Sequence, residues 1–98
     1  MNLVLLHNDR PKHSYTLPKN TGRFFQIGYE SNCSVRLPAN KGVEQYHALI
    51  IRTEKGGFRI CSRTAKATTM VNGRSIVDRD LRAGDKVHIG SYAFLVTE

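Results

Sequence analysis

The sequence predicts an all-β domain, a sandwich or barrel of about ten to eleven short strands, and three observations carry that prediction. Apolar stretches are only about four to six residues long, and several alternate with polar residues at the period of two that places side chains on opposite faces of a strand. Turn chemistry recurs about every 8–12 residues, the spacing of a small antiparallel sandwich. No segment sustains a helical period; residues 77–82 hold at most one helical turn.

Each element follows from local pattern. Residues 3–6 (LVLL) form a continuous apolar run, the mark of a buried strand. Residues 8–12 follow as a turn, with Pro11 as its punctuation, and residues 13–17 alternate so that His13, Tyr15 and Leu17 share a face. After a turn over 18–22, residues 23–27 read as a third strand, in which one of the adjacent Phe24 and Phe25 faces the core. Residues 34–37 are a brief strand between loops. Residues 47–52 and 58–61 flank a turn whose paired Gly56 and Gly57 suit a hairpin. Residues 68–71 lead into Asn72-Gly73, the strongest two-residue hairpin signal in the chain, and 74–77 return. Residues 81–85 turn at Gly84, after which 86–89 and 92–96 close the domain.

Length sets the organisation at one domain over residues 1–98. The chain starts on its first strand and stops just after its last, as a domain excised from a longer protein would. No apolar run approaches the ~20 residues a membrane span needs, and the start lacks the flanks and cleavage site of a signal peptide. Cys33 and Cys61 stand apart without pattern, which reads as two small core-side residues of a reduced, cytoplasmic protein. Fifteen Lys and Arg against eight Asp and Glu leave a net charge of +7. Such an excess attracts acidic or phosphorylated protein segments, nucleic acid and acidic lipid surfaces. The basic residues are dispersed, however, and no aromatic cluster of the kind that stacks bases accompanies them. His7, His13, His47 and His88 are scattered without partners at metal-ligand spacing, and no nucleophile stands beside a base. The sequence therefore predicts no catalysis, no metal and no cofactor.

The stretch FFQIGYESNCSVRLPANKGVEQYHA, residues 24–48, organises the rest. Ile27-Gly28 opens it and His47-Ala48 closes it. Val71-Asn72-Gly73 follows at a fixed distance, then Leu81, Gly84-Asp85, Val87 and Ile89-Gly90. This ordered set, spanning about residues 3–97, resembles the forkhead-associated (FHA) domain, a phosphothreonine-reading β-sandwich. The resemblance implies that Gly28, His47, Asn72 and Gly73 are loop scaffold, with His47 bracing a loop rather than touching ligand. It also exposes departures. The family's phosphate-contacting arginine, directly after the Ile-Gly pair, is Tyr29 here. The serine three residues before the histidine is Glu44, and the next position, an arginine in the family, is Gln45. Ala65-Lys66-Ala67-Thr68 stands where the family presents Ser-x-Asn-Gly, so the asparagine that holds the peptide backbone becomes Ala67.

Magnitudes give these departures weight. A charge-assisted hydrogen bond contributes about 1.5–3 kcal/mol, and both donors are replaced. Glu44 adds repulsion of about 1–3 kcal/mol against a phosphate ~5 Å away at effective dielectrics of 20–80. A reader binding at ~1 μM has about −8 kcal/mol in hand, so such losses leave millimolar affinity or none. The expectation is a degenerate FHA domain that binds a protein partner, acidic or phosphorylated in character, largely independently of phosphothreonine. Its contact residues would be Tyr29, Lys41, Glu44, Gln45, Tyr46, Arg63, Lys66 and Thr68, from the loops 28–34, 38–47 and 62–70. Two alternatives stay open: a basic nucleic-acid-binding β-domain, and an FHA domain with an unusual phosphopeptide site.

Overall fold

In the computed structural model the chain folds into eleven strands among the described residues, which are 1–20, 24–39, 42–65 and 68–98. They are β1 (Asn2–His7), β2 (Arg10–Thr16), β3 (Phe24–Gly28), β4 (Val35–Arg36), β5 (Ala48–Arg52), β6 (Phe58–Ser62), β7 (Thr69–Val71), β8 (Arg74–Ser75), β9 (Asp78–Leu81), β10 (Lys86–Ile89) and β11 (Tyr92–Thr97). Six form one sheet in the order β2-β1-β11-β10-β7-β8, and five form the other in the order β4-β3-β5-β6-β9. Every pairing is antiparallel except β3 with β4. Among the described residues no helix is long and apolar enough to cross a membrane.

The two sheets bury one interior between them. Leu3, Val87 and Phe94 reach it from the six-stranded sheet, and Ile27, Ile50 and Ile60 from the other, each fully shielded from solvent. Side chains of this size contribute about 1.5–3 kcal/mol each when removed from water, which is what fixes strand register: a slip of one residue would turn each set outward.

Several expectations need correcting. Pro11 lies inside a strand, not a turn. Asn8 (φ 52°) and Asp9 (φ 61°) alone make a two-residue hairpin, because their side chains tolerate the left-handed conformation, and β2 begins at Arg10. Pro11 fits there because β2 is an edge strand and its register with β1 shifts between Leu5 and Leu6. The segment expected to hold a helical turn contains β9, which pairs with β6; Leu81 opposite Phe58 is buried in the interior. Cys61 is free and half-buried but does not face the core: its register partner Leu49 lies outside the interior cluster. Of the two phenylalanines Phe25 is buried, whereas Phe24 is 66% exposed. The expectation of strand at Arg23 lies outside the described residues.

Asn72 (φ 52°) and Gly73 (φ 81°) form the expected hairpin between β7 and β8. That hairpin is clasped to the turn before β10. The buried Asp85 carboxylate accepts from Asn72 Nδ2 (2.9 Å) and from the Arg82 backbone N–H (2.8 Å), while Asn72 Oδ1 accepts from Lys86 N–H (2.9 Å). Asp85→Ala would strand two donors, so it is expected to lower stability by about 2–4 kcal/mol in urea unfolding with the m-value unchanged. Arg59→Ala, whose partners Asp78 and Asp80 are exposed, should shift the midpoint far less.

Candidate functional site

Three loops meet at the end of the sandwich where β3 stops and β5 and β7 start. The first leaves β3 at Gly28. Tyr29 N–H donates to Glu44 O (3.2 Å), Glu30 N–H to Gln45 O (3.3 Å), and His47 N–H to Ile27 O (2.8 Å). These bonds draw residues 44–45 directly over Gly28. A Cβ at Gly28 would collide with the Gln45 carbonyl oxygen and lie 3.0 Å from that of Glu44. The glycine is required by this close approach.

His47 is fully buried and joins the second loop to the third. Its Nδ1 accepts the Glu44 backbone N–H (3.1 Å), and its Nε2 lies 3.1 Å from the Thr68 carbonyl oxygen. A nitrogen that accepts cannot carry the proton, so Nε2 holds it and donates to Thr68. Arg63 N–H donates in turn to His47 O (2.9 Å). One side chain and its backbone thus tie residues 44, 63 and 68 into a single frame.

Side chains fasten the first loop to the second. Gln45 Nε2 donates to Glu30 Oε2 (2.6 Å) and Tyr46 OH to Asn32 Oδ1 (3.0 Å), while Arg36 Nε of β4 holds the first loop at Tyr29 O (3.2 Å). Cys33 packs beneath, with Sγ 3.7 Å from Gln45 O, and burial pushes its thiol pKa up, keeping it protonated and poorly nucleophilic.

Above this frame lies an open cleft of about 390 Å³ lined by Tyr29, Glu44, Gln45, Tyr46, Arg63 and Thr64. Five of the residues expected from the sequence are therefore brought together. Tyr29 is half-buried, with its ring packed against the core, so it forms a wall rather than a free arm. Gln45 and Tyr46 have their polar ends engaged with the first loop. Arg63 is exposed and carries no ion pair with a described residue. Thr68 lines a neighbouring cleft of about 450 Å³ with Arg63, Ala65, Ile76 and the exposed Val77. Lys41, Lys66 and Ala67 lie outside the described residues. Asn72 and Gly73 sit at the far end of β7 from Thr68, so they brace the opposite end of the sandwich and not these loops.

Sequence reasoning missed Glu30, Asn32 and Thr64. Glu30 and Asn32 matter through cross-loop bonds, and Thr64 by lining the cleft, relations that follow no spacing rule along the chain. Among the described residues the cleft holds a carboxylate and an arginine, with no second positive group lining it. Among the described residues no group of three or more His, Cys, Asp or Glu side chains is placed to hold a metal ion.

Comparison with known proteins accounts for this architecture. The family model of the FHA domain matches residues 25–90. The FHA domain of CT664 from Chlamydia trachomatis superposes with a TM-score of 0.82 at 22% identity, covering 99% of this chain and 95% of that one. The FhaA FHA domain, solved in complex with the intracellular domain of Rv3910, gives 0.80 at 21% identity over 96% of each chain. The N-terminal FHA domain of Rad53p from S. cerevisiae, solved with a phosphothreonine peptide, gives 0.81 at 14% identity over 98% of this chain and 90% of that one. A search of curated proteins gave no match. With the family model spanning most of its strands and the sandwich superposing along nearly its whole length, this chain belongs to the FHA domain family.

Proposed function

We propose that this FHA domain is a non-catalytic protein-interaction module that grips its partner with the loop end described above, largely without reading phosphothreonine. One observation carries the reading: Glu44 lines the cleft at the position where the family places a phosphate-binding serine. Beside it stands Tyr29 in place of the family's arginine, its ring packed on the core. A phosphate entering there would meet a carboxylate and lose two donors. The frame around the cleft supports binding of another kind. Half-buried tyrosine rings beside an exposed arginine are a common composition of interface centres, and strand ends hold loops in place while leaving their contact residues free to differ.

A second reading keeps a phosphorylated ligand, because Arg63 lines both clefts and offers a charged fork. The nucleic-acid reading has less to stand on. Base stacking needs open rings, and of the Phe and Tyr side chains only Phe24 is exposed, on a strand away from this cleft.

Titration of an oriented phosphothreonine peptide library against its unphosphorylated twin should show no selective affinity tighter than about 100 μM, roughly −5.5 kcal/mol. A tighter phosphate-dependent response would overturn the main reading in favour of the Arg63 one.

The loop geometry has its own test. Tyr29→Arg combined with Glu44→Ser is expected to create measurable phosphopeptide affinity, with each change alone doing less because both groups would share one anion. A folded double variant that gains nothing would show that these positions do not converge on a ligand. With a partner in hand, Tyr29→Ala together with Arg63→Glu should weaken it by more than about 1 kcal/mol, whereas Arg52→Glu, at the other end of the sandwich, should have little effect.

A further inference from the structure

Asn72 is the one asparagine of this sequence followed by glycine. In that pair a backbone nitrogen stands next to a side-chain amide with no side chain of its own to crowd the approach. The reaction open to it needs nothing but water. The Gly73 nitrogen bonds to Asn72 Cγ, the Cγ–Nδ2 bond breaks, the Gly73 proton passes to the departing nitrogen, and ammonia leaves a cyclic imide. Water then opens the ring at either carbonyl, giving aspartate or isoaspartate.

Steric cover does not protect this pair. Asn72 and Gly73 are both exposed, and a Cβ added at Gly73 would meet no atom within 4 Å. What holds the amide is hydrogen bonding at both of its ends. Nδ2 donates to Asp85 Oδ1 (2.9 Å) and Oδ1 accepts from the Lys86 N–H (2.9 Å), while the Asn72 backbone N–H donates to Lys86 O (2.8 Å). Cγ therefore cannot swing toward the Gly73 nitrogen without releasing the amide from the turn before β10.

We propose that Asn72 is a deamidation site held shut by its clasp to Asp85 and Lys86, so that conversion follows lifting of the β7–β8 hairpin and its product does not restore the clasp. Aspartate would set an acceptor where Nδ2 had donated. Two carboxylates would then face each other across the clasp with no proton between them. Isoaspartate would route the main chain through the side-chain carbon, adding an atom to a two-residue turn whose flanking pair is Val71 and Arg74.

The consequence is one-way. Local opening of a short hairpin costs less than global unfolding and recurs far more often. Each opening exposes the amide to attack, and a conversion leaves the hairpin easier to open again. The clasp lies at the opposite end of the sandwich from the Glu44 cleft, so a converted chain keeps its cleft residues and loses stability instead.

Peptide mapping by mass spectrometry, resolving aspartate from isoaspartate, should find Asn72 converting at least about tenfold more slowly in the native domain than in guanidinium chloride above the unfolding midpoint. Asp85→Ala removes the acceptor and keeps the Asn-Gly pair, so it should speed conversion severalfold while the domain remains folded. Asp85→Ser takes its place if the NMR spectrum loses native dispersion. Asn72→Asp installs one product directly and should lower the urea midpoint. The decisive arm exchanges the pair, combining Asn72→Asp with Asp85→Asn. Position 85 then donates to position 72 through Nδ2 and still accepts from the Arg82 N–H through Oδ1, and position 72 still accepts from the Lys86 N–H. This double variant should recover most of the midpoint that Asn72→Asp loses. Equal conversion in native and denatured chains, no acceleration in a folded Asp85 variant, an unchanged midpoint in Asn72→Asp, or a double variant no more stable than Asn72→Asp would each overturn the inference.

Discussion

The buried imidazole of His47 is the contact on which the loop end depends. It stands between an amide that must donate and a carbonyl that must accept, and neutral imidazole supplies the matching acceptor and donor on one rigid ring. An unpaired group at either site would cost about 1–3 kcal/mol when buried. Because the ring satisfies backbone groups of Glu44 and Thr68, it is indifferent to the side chains those positions carry. Gly28 works the same way, accommodating the backbone oxygens of residues 44 and 45 and nothing of their side chains. The backbone contacts of His47 and Gly28 therefore hold these loops together whichever side chains stand at residues 44 and 68.

This separation explains what was legible in the sequence. Alternation marked β10 correctly, and Asn72-Gly73 marked its hairpin, because each rests on local chemistry. The frame residues Gly28 and His47 were legible through the family resemblance that Ile27-Gly28 and His47-Ala48 carry. The facing of β5 was not legible: Ala48 to Ile51 is apolar throughout, and only pairing with β3 and β6 sends Ile50 inward and Leu49 outward. β9 was hidden for the opposite reason. Asp78-Arg79-Asp80 offers no apolar signal, and its strand character comes from the ladder with β6 and from Arg59 across it. The bonds of Glu30 and Asn32 to the second loop, likewise, exist only once the loops are brought together.

Bulk charge proved a poor guide to local charge. The chain is strongly basic, yet the cleft is walled by Glu44 with Glu30 beneath it, and the β9 edge is acidic around Arg59. Among the described residues, exposed Arg10, Lys12, Lys19, Arg74 and Arg82 lie on other parts of the surface. Long-range attraction of anions belongs to the whole surface, whereas the cleft is lined by groups of both signs, Glu44 and Arg63.

The irregular outer strand β2 has a consequence for assembly in the cell. Among the described residues four strand edges are open: β4 and β8 are two residues long and β9 four, whereas β2, with seven, is long enough to template the growth of another chain's strand. Pro11 removes an N–H from that row, the shifted register bends it, and Arg10 and Lys12 repel a second copy. Fibre growth through main-chain pairing is thereby disfavoured at the longest of these edges.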